Sequence, residues 1–344
     1  MIALIVTGAL LVLCIIGLCV ALAISSGDSG SSSSDGGGGG NVVQNDSPAD
    51  DTPATVDGVK TNPSRSSYAI PNGSGYQTIS GISSRYAVLI DLDNFQAMAG
   101  LNPDTQICPA SMTKVMTVLI ACENMKSLSD KVKITQEDAN YGLDNNVSRS
   151  HLLDAGKEYT VKDLLYLIYY ESDTTACLAI SRYIAGNESS FAKMMTDKAK
   201  EMGLTQTKFT NSTGLDLEGE EYYTTCREMA AIMAYALENP QAKKILTSTG
   251  KYYFNSPALK NSDGTSPGWK SDGGRLGSTT PEGTTVTILG GKTGSETVSG
   301  SCLVTYAKNA TGKQFIQVIV GGGSDIQNKH CTADVKLIYN TYAK

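Results

Sequence analysis

The chain has 344 residues, 40% hydrophobic and 18% charged, enough apolar material for one large folded domain with extensions. A formal net charge of −6 argues against nucleic acid as a partner. Only two histidines occur, His151 and His330, which argues against a multi-histidine metal centre and leaves few ways to build a Ser-His-Asp triad.

The chain opens with an unbroken apolar run, Ile2 to Ile24, free of charge. As a helix it would be ~34 Å long, enough to cross a bilayer. Residues 1–24 are read as a transmembrane anchor or, because Ala21-Leu22-Ala23 carries small residues at both cleavage positions, as a signal peptide. Residues 25–64 are rich in Ser, Gly, Asp, Asn and Pro, including Ser31–Ser34 and Gly36–Gly40. Such a segment buries too little apolar surface to fold, so a disordered linker is expected. The acidity sits here: residues 1–64 hold six Asp and one Lys, and the 27 basic and 28 acidic residues of 65–344 nearly cancel. An apolar span followed by a tether places the folded part on the outer face of the cytoplasmic membrane, or secreted.

Tyr86-Ala87-Val88-Leu89-Ile90 reads as a buried strand. Pro109 then precedes a helix over Ser111 to Ala121, apolar on nearly all sides and therefore central to the fold. Further helices are expected over Val161–Tyr170, Ala176–Ile184, Phe191–Met202 and Arg227–Leu237, the last stopped by Asn239-Pro240. From Val286 the pattern changes to strands, ending in Cys302–Ala307 and Phe315–Val320 joined by a turn at Lys308–Lys313. Ala333–Tyr342 reads as a closing helix. Strands from both ends of the chain can share one antiparallel sheet, with helices packed on it and a helical insert between. Cys14 and Cys19 lie in the apolar span. The other six cysteines form no C-x-x-C motif, and several sit in apolar runs, so they are read as buried free thiols.

Three S-x-x-K spacings occur: Ser111–Lys114, Ser190–Lys193 and Ser248–Lys251. On a helix, residues three apart share a face, so hydroxyl and amine can meet. Serine is a poor nucleophile until a base takes its proton, and lysine is that base once its pKa is lowered. Ser111 is singled out because it starts a buried helix, where a lysine is costly without a role, and because unpaired N–H groups of a first turn favour developing negative charge. The second pair lies on a polar helix and the third in a Gly/Ser-rich stretch. Ser172-Asp173-Thr174 follows the apolar helix 161–170; by itself it reads as a helix cap. Lys292-Thr293-Gly294, before Ser295, is the single K-T-G and lies on a predicted strand.

Taken in order, S-x-x-K, S-D-x and K-T-G form a pattern far more specific than its parts. The chain resembles the serine penicillin-recognising enzymes, and among them the D-alanyl-D-alanine carboxypeptidases of low molecular weight. Ala110-Ser111-Met112-Thr113-Lys114, Tyr159–Leu165, Phe209–Asp216 and Gly291–Ser295 carry the resemblance, which spans roughly residues 80–344. It implies an α+β domain over 65–344 of the β-lactamase/transpeptidase type, an antiparallel sheet flanked by helices with an all-helical subdomain between. It also implies a peptidoglycan stem peptide ending in D-Ala-D-Ala as substrate, β-lactams as inhibitors, and no metal or organic cofactor.

By the same resemblance Ser111 is the nucleophile and Lys114 its base, with the charge of Lys292 helping to keep Lys114 neutral. Ser172 relays a proton to the leaving nitrogen. Lys292 and Thr293 bind the terminal carboxylate, alongside Gly294. Backbone N–H groups of Ser111 and Ser295 form the oxyanion hole. Thr174 departs from the family's S-x-N element: it offers one hydroxyl where asparagine offers an amide to hold the substrate. That departure puts catalytic efficiency in question. Little sequence follows the closing helix, so the family's C-terminal β-domain is expected to be absent and anchoring to be N-terminal. A serine β-lactamase, which shares the three elements, is one alternative; its class A members also carry E-x-x-L-N, which does not occur here. A catalytically weak β-lactam or peptidoglycan sensor is the other alternative.

Overall fold

The computed structural model describes residues 58–144, 153–249, 252–254, 270–271, 282–322 and 329–344. The apolar run Ile2–Ile24, the linker up to residue 57 and Lys251 lie outside the described residues. Among the described residues no helix is long and apolar enough to cross a membrane.

In chain order the elements are β1 (Asn72–Thr78), β2 (Tyr86–Asp91), β3 (Gln96–Leu101), α1 (Lys114–Asn124), β4 (Lys131–Lys133), α2 (Gln136–Asp144) and β5 (Glu158–Thr160). There follow α3 (Val161–Tyr170), α4 (Thr174–Ala185), α5 (Glu188–Glu201), α6 (Cys226–Ala236) and α7 (Pro240–Leu246). Last come β6 (Tyr252–Tyr253), β7 (Lys270–Ser271), β8 (Val286–Glu296), β9 (Gly300–Asn309), β10 (Gln314–Gly322) and α8 (Lys329–Tyr342). One six-stranded sheet runs in the order β1-β3-β2-β10-β9-β8, so both ends of the chain close it, as expected. The seam is the antiparallel pair of β2 with β10, Val88 opposite Val318 and Ile90 opposite Ile316.

The period of two along a strand sends alternate side chains to opposite faces. Val88, Ile90, Val304, Ile316 and Val318 join the larger core with the helices α1 to α7. Ala87, Leu89, Leu303, Phe315 and Ile319 face the other way and pack under Val335, Ile338 and Tyr339 of α8. Both faces are therefore covered, which is why these strands read as continuous apolar runs. Helix α1 is buried along almost its whole length and packs against α3, α4, α5, α6 and α7. The mixed α/β architecture, a mostly antiparallel sheet flanked by helices, is the one expected from sequence.

The helix starts are set by side-chain caps, each satisfying backbone N–H groups that the first turn leaves unpaired. Thr160, Asp173, Asn187, Thr225 and Asn239 accept these bonds for α3 to α7 in turn. Of the described cysteines, Cys122, Cys177 and Cys226 are buried free thiols and Cys108 is a half-buried one, while Cys302 is buried with its Sγ toward the Gly300 carbonyl at 3.4 Å.

Three features differ from the sequence reading. The edge strand β1 is parallel to β3, with Asn72 opposite Ala97 and Gln77 opposite Ala99. Its residues are mostly exposed and carry no apolar alternation to reveal a strand. Second, Asn239-Pro240 both ends one helix and starts another, since Pro is preorganised for a first helical turn and Asn caps it. Third, residues 58–64, compositionally part of the linker, are already pinned to the body. Gly58 N–H donates to Met125 O at 2.7 Å, Val59 N–H to Cys122 O at 3.0 Å, and Ser64 Oγ to Glu238 Oε1 at 2.6 Å.

Asn239 ties this segment down. Its side chain is buried, Oδ1 accepts from Gln241 and Ala242 N–H at 3.0 Å each, and Nδ2 donates to Val59 O at 2.6 Å. Asn239→Ala removes a cap and leaves buried groups unpaired. It is expected to destabilise the fold by about 2 kcal/mol, read as a lower midpoint in chemical denaturation.

Candidate active site

Residues Ala110–Thr113 form a single 3-10 turn that leads into α1, rather than the first turn of the α-helix itself. Ala110 takes φ 48°, a left-handed conformation costly for a residue with a side chain. Its surroundings hold it there. Tyr222 Oη accepts from Ala110 N–H at 3.1 Å and donates to Gly214 O at 2.8 Å. Gly214 has φ 76°, and a Cβ on it would lie 2.0 Å from Ala110 O, so glycine is required on two counts.

On this turn Ser111 is partly exposed and Lys114 is 1% exposed. Lys114 Nζ lies 3.0 Å from Ser111 Oγ and donates to Thr213 O at 2.5 Å. One N–H is thereby committed to the carbonyl, and the amine's remaining valence faces the serine. Burial is the leading influence on Lys114 and lowers its pKa. The nearby thiol of Cys177 and the carboxylates of Asp173, Glu296 and Glu188 oppose it. Desolvation is thus the first influence drawing the Lys114 pKa down, ahead of any help from the charge of Lys292.

Ser172 follows the end of α3 with φ 57°, again left-handed, and Asp173 then caps α4 by accepting from Ala176 N–H at 2.7 Å. The cap reading of Ser172-Asp173-Thr174 and its active-site reading are therefore both satisfied, by different residues. Burial pushes the Asp173 carboxyl up to about 6, against the pull of Ala176 N–H and Lys114. Ser172 Oγ accepts from Lys292 Nζ at 3.2 Å. Lys292 is 3% exposed on β8, the edge strand, and Nζ also donates to Thr293 O at 2.9 Å.

The strand's alternation sorts the K-T-G segment. Lys292 and Gly294 are buried, while Thr293 is partly exposed and Ser295 exposed. A Cβ on Gly294 would lie 3.1 Å from Ser111 N and 3.2 Å from Met112 N. The third motif is thus laid directly against the turn carrying the first, and its lysine touches the serine of the second. Thr174 makes none of these hydrogen bonds. It is the first residue of α4, 2% exposed, and its hydroxyl is buried without a hydrogen-bond partner. The other two S-x-x-K pairs lie elsewhere: Lys193 pairs with Asp197 on the surface of α5, and Ser248 Oγ meets Tyr170 Oη at 2.7 Å.

Several residues of the site had no role assigned from sequence. The loop Asn211–Leu215 presents the Thr213 carbonyl, and Asn211 Oδ1 shapes it by accepting from Thr213 and Gly214 N–H at 3.1 and 2.7 Å. The motif Phe209–Asp216 signalled the loop but not its task. Tyr222 and Cys177 lie in unremarkable sequence and were recognisable only once the chain was folded.

Comparison with known proteins bears on this geometry. Residues 75–324 match the family model of D-alanyl-D-alanine carboxypeptidase, peptidase S11. The D-alanyl-D-alanine carboxypeptidase DacF of Bacillus subtilis is 37% identical over 172 residues, 49% of this chain and 42% of that protein. DacC of Escherichia coli is 27% identical over 252 residues, 71% of this chain and 58% of that protein. The matched parts span about half the length of these curated relatives. Among solved structures, a point mutant of Streptomyces K15 DD-transpeptidase superposes with TM-score 0.65 at 23% identity, covering 76% of this chain and 99% of its own. A D-alanyl-D-alanine carboxypeptidase of Mycobacterium tuberculosis gives 0.64 at 21% identity, over 78% and 94% of the two chains. At these identities the structures establish a shared fold.

A methyl group on Gly294 would press on the backbone of the Ser111 turn from closer than packed atoms ordinarily sit. Gly294→Ala is expected to push β8 away from that turn and to slow covalent modification of Ser111 about 10-fold, followed by intact mass with a serine-directed acylating reagent.

Proposed function

The chain belongs to the D-alanyl-D-alanine carboxypeptidase family, and on that premise we propose that it is an extracytoplasmic serine peptidase. It removes the terminal D-alanine from peptidoglycan stem peptides through an acyl-enzyme on Ser111. The observation that carries this reading is the 3.0 Å approach of a buried, neutral-leaning Lys114 amine to the Ser111 hydroxyl.

In the proposed reaction Ser111 Oγ bonds to the carbonyl carbon between the two D-alanines as its proton passes to Lys114 Nζ. The carbonyl electron pair moves onto oxygen, where the backbone N–H groups of Ser111 and Ser295 receive it. The oxyanion collapses, the C–N bond breaks, and the leaving D-alanine nitrogen takes a proton delivered from Lys114 by way of Ser172. Water then attacks the ester carbonyl, gives a proton to Lys114, and the shortened peptide leaves as Ser111 recovers its own. Lys292 and Thr293, with Gly294 and Ser295 beside them on β8, bind the substrate's terminal carboxylate, which restricts the enzyme to free C-termini. β-Lactams, which resemble the D-Ala-D-Ala end, acylate the same serine. The buried hydroxyl of Thr174 supports a role in shaping the start of α4 beneath the substrate. The apolar run Ile2–Ile24 supports membrane attachment or export ahead of the folded domain.

Ser111→Ala is expected to abolish both D-alanine release from a diacyl-L-lysyl-D-alanyl-D-alanine peptide and labelling by a fluorescent penicillin. Labelling of the variant would contradict the assignment. Labelling of wild type without peptide hydrolysis would identify a sensor, and rapid penicillin turnover a β-lactamase. Lys292→Ala is expected to raise KM for the free-acid peptide more than it lowers kcat. Equal turnover of free-acid and amidated peptides by wild type would rule out carboxylate recognition.

A further inference from the structure

Glu188 opens α5 at some distance in sequence from each of the three motifs, yet its carboxylate is turned onto the loop behind Lys114. Oε1 accepts from Ser212 N–H at 2.6 Å and from Ser212 Oγ at 2.8 Å, and Oε2 accepts from the same hydroxyl at 3.0 Å. The carbonyl of Ser212 accepts from Thr117 Oγ1 at 2.7 Å, one turn along α1 from Lys114. The next carbonyl, of Thr213, is the one that receives the Lys114 amine at 2.5 Å. Ser212 is thus held from two sides, by α1 through its oxygen and by Glu188 through its N–H and hydroxyl. An acid at the start of a helix is ordinarily read as a partner for the helix dipole, which is why the sequence does not disclose this contact.

We propose that Glu188 is a positioning residue for Lys114: by clamping Ser212 it fixes the Thr213 carbonyl that aims the Lys114 amine at Ser111. The proposal rests on the acyl-enzyme reading above and adds to it the means by which the base is aligned. A carboxylate does more here than an amide would. No cation pairs with Glu188 among the described residues, so its charge is felt by Lys114 and favours the ammonium that forms when Ser111 loses its proton. The other groups facing Lys114 are Asp173 and Cys177 of α4 and Glu296 of β8. Those facing Glu188 are Ser181 of α4, Tyr141 of α2 and Glu220, and burial holds its carboxyl above the usual range.

The test compares the full chain with its Glu188→Gln and Glu188→Ala variants. Acylation of Ser111 by a fluorescent penicillin is followed across pH and resolved into noncovalent affinity and the acylation step. Glu188→Ala is expected to slow the acylation step about 100-fold with noncovalent affinity unchanged, as a misaimed base should. Glu188→Gln keeps an oxygen to accept from Ser212 N–H, so most of the rate should survive. Lys114 acts as a base only when neutral, and removing a facing negative charge lowers its pKa further. The acid limb of the Gln variant's profile should therefore move to lower pH, an effect that a merely structural glutamate would not produce. Wild-type acylation rates and an unmoved acid limb in both variants would overturn the proposal. If the Ala variant fails to fold, an unmoved acid limb in the Gln variant overturns it alone. A wild-type chain that is not acylated at all would overturn the peptidase reading instead.

Discussion

Lys114 lies almost wholly out of water, donating to the Thr213 carbonyl and 3.0 Å from the Ser111 hydroxyl, and most of the site is arranged around that amine. Burying an ammonium is expensive, so burial favours the neutral amine, the form that the proposed reaction needs in a base. The surrounding acids, Asp173, Glu188 and Glu296, temper this. In the proposed reaction the same acids would stabilise the ammonium formed when Ser111 loses its proton. Desolvation and facing charge thus act in opposite directions on one group, and their balance sets how strong the base is.

Holding the amine there dictates much of the neighbouring backbone. The 3-10 turn sets serine and lysine three residues apart on one side, at the cost of a left-handed Ala110. Tyr222 braces that residue, and Gly214 and Gly294 let two strands of backbone come within touching distance of the turn. Ser172 accepts a similar left-handed strain between α3 and the cap of α4. The sheet contributes by placing β8 at its edge, where Lys292 reaches Ser172. Strain of this kind persists because the packed core around α1 fixes every element that bears it.

Much of this was legible before folding. The apolar runs of β2, β9 and β10 announced strands covered on both faces. The all-round apolar character of Val115–Ala121 marked α1 as central. The ordered triplet of motifs named Ser111, Lys114, Ser172 and Lys292 as one group, and the structure brings these into two touching pairs. What escaped was carried by chemistry without a periodic signature. β1 is polar and exposed, Asn239-Pro240 looks like a stop although it also starts α7, and residues 58–64 look like linker although hydrogen bonds anchor them. Glu188, Tyr222 and the Thr213 carbonyl are found only through contacts made across the fold. Thr174 is the instructive case: its type differs from the family's element, and its hydroxyl is buried.

The protonation state of Lys114 decides whether this site can work as described. NMR titration of chains labelled with 13C at lysine Cε would read it directly, with the Lys114 signal assigned by its absence from Lys114→Arg. The signal is predicted to titrate well below the surface lysines, leaving a neutral amine available to Ser111 near neutral pH. A Lys114 signal that titrates together with the surface lysines, or above them, would contradict a lysine base in this site.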